Sequence, residues 1–361
     1  MAMTEFATGA TLAVQRWSDS LAVEAEKKQY FRKFMGAGPD NLIVVKTELN
    51  KQAGEKITYA LRMKMSGDGI EGDNVIEGTS AETSLTFHAD SLFIDQRRKG
   101  TKSKGKMTEQ RVPYNLRKEG RDALAIWFAE DYDEQIMMYL AGARGADTTF
   151  HVALGYTGRC GNSFRSPDSD HVIYGGDATS LATIEQADKM KLTLVEKIVT
   201  KIETLDPMIQ PFRINGENKY VLLMHPYNAY DLRTSISQGD WLEVHKATDG
   251  ANSPIYQNAL GEYAGIVLHK HRNVIRFSES YGGCASGVTA SRSLLLGAQA
   301  GMIAWGGAGG MGRYTWNEET DDRGNALAIT AGTIYGVQGT QFNSDWFGRL
   351  AVDAYCDDPT S

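Results

Sequence analysis

Residues 56–95 read KITYALRMKM SGDGIEGDNVIEGTSAET SLTFHADSLFID, two strand-like runs around a soft acidic insert. In 56–65 the pattern alternates without a slip, with Ile57, Tyr59, Leu61, Met63 and Met65 on one side and Lys56, Thr58, Ala60, Arg62 and Lys64 on the other. That period of two predicts a half-buried strand. The return run places Leu85, Phe87 and Ala89 in one phase and Leu92 and Ile94 in the other, which predicts a bulge near residues 88–91. Between them, residues 66–83 carry five acids (Asp68, Glu71, Asp73, Glu77, Glu82), four glycines and no Lys or Arg, so the insert cannot build a core of its own. A hairpin of this length, reaching up to roughly 60 Å at about 3.3 Å per residue, needs a surface to rest on. The expected surface is another copy of the same chain.

Working outward, the next stretch has the opposite sign. Residues 97–121 hold ten Lys or Arg against two acids, Glu109 and Glu119. One reading is a solvated face; the other is that Asp68, Glu71, Asp73 and Glu77 of one copy face Arg97, Arg98, Lys102 or Arg111 of the next, with Met63, Met65, Ile70 and Val75 as apolar anchors. Residues 113–142 then form the strongest helix pattern, with Leu116, Leu124, Phe128, Tyr132, Ile136 and Leu140 on one stripe, Pro113 near its start and Gly142 at its end. Its expected length is roughly 40 Å.

Elsewhere, residues 1–18 read as an arm anchored by Trp17, and a helix capped by Ser18 or Ser20 is expected to run through Met35 and close at Gly36. Residues 42–45 predict a strand. Residues 142–177 are rich in Gly, Ser, Asp and Asn and are expected to lie extended on the surface. Residues 179–204 predict helix in two pieces, 220–225 a strand, and 228–232 a short helix begun by Pro226. Strands are also expected at 264–269 and 274–277. Residues 294–305 suit helix or a turn-interrupted strand pair equally, and 326–355 alternate as β.

Composition excludes several classes. The 361 residues are 42% hydrophobic, enough for a substantial core, with net charge −7 and no overall basic excess to capture nucleic acid. Three widely spaced cysteines, Cys160, Cys284 and Cys356, disfavour a disulfide framework and suit a reducing compartment. No signal-like start and no long apolar run appear, so no membrane partner is expected and synthesis in the cytoplasm is.

No catalytic constellation emerges. The run 307–312, GAGGMG, matches the dinucleotide pattern at Gly307, Gly309 and Gly312, but 313–325 is polar without helical period, so no helix start is expected to meet a pyrophosphate. Residues 100–107 approach a phosphate loop, yet Met107 replaces the hydroxyl that holds magnesium. Ile70 breaks the calcium-loop spacing, and His269 with His271 lack a third ligand. Cys160, His171, Asp168 and Asp170 flank one loop without a specific pattern. No cofactor or metal is expected.

Arms, a long helix, many strands and no chemistry are the profile of an assembly subunit. The order of EAEKK (24–28) with Tyr30 and Phe31, GEKIT (54–58), 69–73 with Glu77 and Gly78, DQRR (95–98), Gln110 with Arg111, RSLLLGAQA (292–300) and 345–352 resembles the major capsid proteins of tailed bacteriophages, of the type found in phage N4. The resemblance implies an α+β chain with the HK97-type fold. It places an N-terminal arm and helix at 1–55, an extended loop at 56–95 and a peripheral domain with its spine helix at 96–149. An axial domain with a surface insertion would occupy 150–290, and peripheral strands would return at 291–361. It favours strand for 294–305. It further implies self-assembly into hexamers and pentamers of an icosahedral head around double-stranded DNA, held without sequence preference, with scaffold, portal and decoration proteins as further partners. The alternatives are another ring- or tube-forming virion protein, or a dinucleotide enzyme built on Gly307 to Gly312.

Overall fold

The computed structural model describes residues 21–359 apart from 22–23, 26, 51–53, 63–64, 66, 79–81, 83, 112, 114, 215–216, 236–258 and 308–313. The arm with Trp17, Met63 and most of the 307–312 run therefore lie outside the described residues.

The chain opens with helical residues at Leu21, Glu24, Ala25, Lys27 and Lys28, and then tightens into a 3-10 turn, Phe31–Phe34. The expected helix does not reach Met35. Met35–Gly36 is instead a short strand, β1, paired in parallel with β2 (Ile43–Lys46). Phe31 and Phe34 are three apart, a spacing that a 3-10 turn serves as well as an α-helix.

The hairpin follows as β3 (Lys56–Arg62) and β4 (Phe87–Phe93). Its register runs unbroken from Lys56 opposite Phe93 to Arg62 opposite Phe87, so the expected bulge is absent. The inward phase of β4 is carried by Asp90 and Leu92 and continues to Ile94, while Leu85, Phe87 and Ala89 point out. An acid at an inner position made the pattern look slipped.

Next come β5 (Asp95–Lys102), α1 (Lys106–Arg111) and the long helix α2 (Leu116–Ala141). Asn115 caps α2, its side chain accepting from the N–H groups of Arg117 and Lys118, and Gly142 ends it at φ 67°. Pro113 thus lies ahead of the cap. The one-sided stripe holds only for the first half, since residues 131–141 are buried on every face. The spine runs through the body.

Residues 142–177 contain the small strands β6 (Gly158–Arg159) and β7 (Asn162–Ser163) and then β8 (Val172–Tyr174). The segment is not a loose surface excursion: Arg144, Phe150, Val152, Asn162 and His171 are buried, and Tyr139 donates its hydroxyl to the Asn162 carbonyl at 3.0 Å. Of the two expected helical pieces at 179–204, the first is only a 3-10 turn (Leu181–Thr183) and the second is α3 (Leu192–Thr204).

The remaining elements are β9 (Phe212–Ile214), β10 (Glu217–Met224), α4 (Pro226–Thr234), β11 (Ala259–Tyr263), β12 (Ile266–Lys270), β13 (Arg276–Phe277), β14 (Ala290–Leu296), β15 (Gly301–Gly306), β16 (Tyr314–Asp321), β17 (Ala326–Gly339), β18 (Gln341–Phe342), β19 (Asp345–Trp346) and β20 (Arg349–Tyr355). Residues 294–305 thus form strand, turn and strand. Tyr314–Asp321, expected to be aperiodic, is a strand in which Tyr314 and Trp316 point inward. The described residues that follow the glycine run begin in this strand and not in a helix.

Two sheets share the core. One joins β1, β2, β15, β17, β16 and β5; the other orders β11, β12, β10, β14, β20 and β8, with β13 and β9 at its margins. The strands of 291–361 do not stay together: β14 and β20 enter the second sheet, β15 to β17 return to the first, and β18 and β19 pair with each other. In the first sheet the long β17 carries β5 along one edge and β15 and β16, end to end, along the other.

Candidate assembly surface

The spine helix holds its surroundings through buried acids that point in different directions. Asp131 accepts from Arg97 of β5 and, at 3.1 Å, from the Tyr335 hydroxyl of β17. Asp133 accepts the backbone N–H groups of Tyr30 and Phe31 at 2.8 and 3.2 Å, tying the 3-10 turn to the spine. Glu134 accepts the His151 N–H at 2.8 Å. At the far end Arg349 donates to the carbonyls of Tyr139 and Leu140 at 2.9 and 2.5 Å, and Arg292 to that of Ala141 at 3.2 Å. These last carbonyls have no partner within the helix, and cations at the negative end of its dipole stabilise it.

Against this rigid body the hairpin has a fixed root and a bare tip. At the root, Asp90 takes both arms of the Arg165 guanidinium at 2.6 Å each, the Tyr59 hydroxyl at 2.5 Å and the Gln341 N–H at 3.2 Å. Burial alone would raise the Asp90 carboxyl, but the Arg165 and Tyr59 bonds outweigh it and hold it below the ordinary carboxylate range. Asn162 grips the last β4 residue twice, accepting from the Phe93 N–H at 3.0 Å and donating to its carbonyl at 2.7 Å. Beneath, Ile57, Leu92 and Ile94 pack with Val44, Met302 and Ala304 in a small core on the first sheet. Gly336 admits this approach: a Cβ there would stand 1.9 Å from the Phe93 carbonyl oxygen.

Beyond Arg62 the chain leaves this support. Met65, Val75, Ile76, Leu85 and Phe87 are between 52% and 71% exposed, Ile70 is half-buried, and Asp68, Glu71, Asp73, Glu77 and Glu82 are all exposed. So many large apolar side chains on one projection mark a contact surface. Ile76, Leu85 and Phe87, which the sequence pattern did not single out as anchors, are exposed on the same hairpin.

The four expected basic partners have different settings. Arg97 is spent inside its own chain on Asp131, and its guanidinium lies 5.4 Å from the Trp127 ring centre. Lys102 pairs across β17 with Asp321 while staying half exposed. Arg98 and Arg111 are exposed. Cys284 and Cys356 are buried free thiols, and Cys160 is an exposed one. Among the described residues no cluster of metal-ligating side chains occurs, and no helix is long and apolar enough to cross a membrane.

A body threaded by a long buried helix, with a hairpin clamped at its base and uncovered at its tip, defines a subunit built to join copies of itself. The profile of the phage capsid protein family matches residues 5–355, and the chain belongs to that family. It is 26% identical over 360 residues to the major capsid protein of Pseudomonas phage KPP25, covering 93% of each chain. Its structure is similar to the capsid of Ralstonia phage GP4, with a TM-score of 0.85, 38% identity and 99% of both chains covered. The capsid asymmetric unit of cyanophage Pam1 shares the fold at a TM-score of 0.70 and 16% identity, covering 99% of this chain and 94% of that one. The chain is a major capsid protein of a tailed phage, with the HK97-type fold.

Proposed function

We propose that copies of this chain close into the hexamers and pentamers of an icosahedral head, each hairpin lying across a neighbouring subunit. The observation that carries this is the contrast within the hairpin, whose root is clamped through Asp90 and Phe93 while its tip exposes Met65, Val75, Ile76, Leu85 and Phe87. Met65, Ile70 and Val75 pack on the neighbour. Asp68, Glu71, Asp73 and Glu77 face its exposed basic residues, with Arg98, Lys102 and Arg111 as candidates. Weak contacts repeated through a closed shell sum to a stable particle.

In this reading 56–95 is the extended loop, the first sheet with α2 is the peripheral domain, and the second sheet is the axial domain. The head encloses double-stranded DNA without reading its sequence. It is made in the bacterial cytoplasm with scaffold, portal and decoration proteins. The chain acts as a structural element and not an enzyme. The phage N4-type branch rests on the ordered sequence stretches given above.

The test is electron microscopy of the purified chain, with assembly partners supplied, beside a deletion of residues 67–83. The parent should form shells, and the deletion should stay folded and fail to assemble. Normal shells from the deletion would refute the hairpin contact.

A further inference from the structure

One strand of the body is left uncovered by its own chain. Seven of the eight residues of β5 are exposed, Arg97 being half-buried, and among the described residues β5 pairs only with β17. Across the same sheet β16 also pairs only with β17, and Thr315, Asn317, Glu319 and Thr320 are exposed. The hairpin root covers the sheet near β2 and β15 but not this end.

The two edges carry opposite charge. Residues 97–106 hold six cations and no acid, whereas 317–322, NEETDD, hold four acids and no base. Part of this is used internally, through Arg97 with Asp131, Lys102 with Asp321 and Arg117 with Glu318. Arg98, Lys99, Lys104 and Lys106 on one side and Glu319 and Asp322 on the other remain exposed. Charged side chains on an edge strand commonly do no more than prevent pairing. A single sign on both edges would serve that purpose. Opposite signs repel β5 from β5 and β16 from β16 but attract β5 to β16.

We propose that the β5 edge of one copy meets the β16 edge of a second copy, head to tail, as a subunit contact separate from the hairpin. The inference rests on the shell reading above and refines it, placing Arg98 and Lys102 at this edge and leaving Arg111 to the hairpin acids. A contact between two different patches is heterologous, so it gives the neighbours a direction and propagates until a ring closes.

The experiment uses three full-length variants: Arg98→Glu with Lys104→Glu and Lys106→Glu, Glu319→Lys with Thr320→Lys, and all five changes together. Lys102 and Asp321 are left untouched so that their internal pair survives. Each single-edge variant should keep the parent's melting temperature and lose shell yield by about tenfold or more, with the defect softened by salt. The five-change chain, its edges again opposite in sign, should recover shells. Parent-like assembly of either single-edge variant, or folded five-change protein that does not recover, would overturn the proposal. So would normal shells from the β5 variant that fail only to retain DNA, because the basic strand would then serve nucleic acid. If the parent itself forms no shell under any condition, the shell reading falls with it.

Discussion

Arg292 and Asp353 face each other in the ladder between β14 and β20 and form a buried, two-pronged ion pair, Nε to Oδ1 at 2.8 Å and Nη2 to Oδ2 at 2.7 Å. Arg292 also reaches the last carbonyl of the spine helix, so one side chain joins strand, strand and helix. Arg292→Met should leave a buried carboxylate unpaired and cost about 3–5 kcal/mol. Arg292→Met with Asp353→Leu should cost clearly less than that single change. Urea denaturation of the unassembled subunit checks both, and a double variant as damaged as the single would count against the pair.

The clamp at Asp90 predicts local loosening. Asp90→Ala leaves the Arg165 guanidinium without its carboxylate and the Tyr59 hydroxyl without its acceptor, for a loss of about 2–4 kcal/mol. Amide exchange should rise along β3 and β4 more than in α2. Uniform exchange across the chain would mean the clamp is not local.

Asp133 makes stability depend on pH. Burial pushes its carboxyl up to about 7 against the pull of the Tyr30 and Phe31 N–H bonds. Between its ordinary value of 3.8 and about 7 the folded chain therefore holds a proton that the unfolded chain has released. The Asp133 contribution falls as pH rises through that window and is level above it. Asp133→Asn should gain on the parent between those limits, by at most about 1.4 kcal/mol per pH unit. His225 and His271, both pushed down to about 4 by burial and nearby cations, act oppositely, their contribution growing as pH rises from about 4 to 6.5. The comparison must therefore be between variant and parent at each pH, and a constant difference would refute it.

Gly142 turns the chain at the end of the spine with φ 67°, and a Cβ there would stand 2.0 Å from the Arg165 carbonyl oxygen. Backbone cannot yield as a flexible side chain can. Gly142→Ala should cost about 3 kcal/mol or more, read as a fall in melting temperature.

Much of this was legible in the residues themselves. Ile57, Tyr59 and Leu61 announce β3 by alternation, and Gly142 announces the end of the spine. The helix start was obscured because Pro113 draws the eye while Asn115 makes the cap. The phase of β4 was obscured because Asp90 is inside, a position that Arg165, seventy-five residues away in sequence, makes tolerable together with the Tyr59 hydroxyl and the Gln341 N–H. Residues 142–177 looked loose because they are held by bonds between side chains and backbone, as at Asn162, which leave no periodic trace. The opposite charges of β5 and β16 are plain in the sequence, but only the fold shows them to be the two sides of one sheet.

The segment around Arg165 also has a mechanical meaning. Arg165 holds the hairpin by its side chain, while its own carbonyl accepts from Trp346 at 3.0 Å and lies against the turn at Gly142. The hairpin is thus a lever whose fulcrum is lashed to the foot of the spine. A load on the tip would reach the end of that helix through Arg165 as well as the first sheet, on which Leu92 rests.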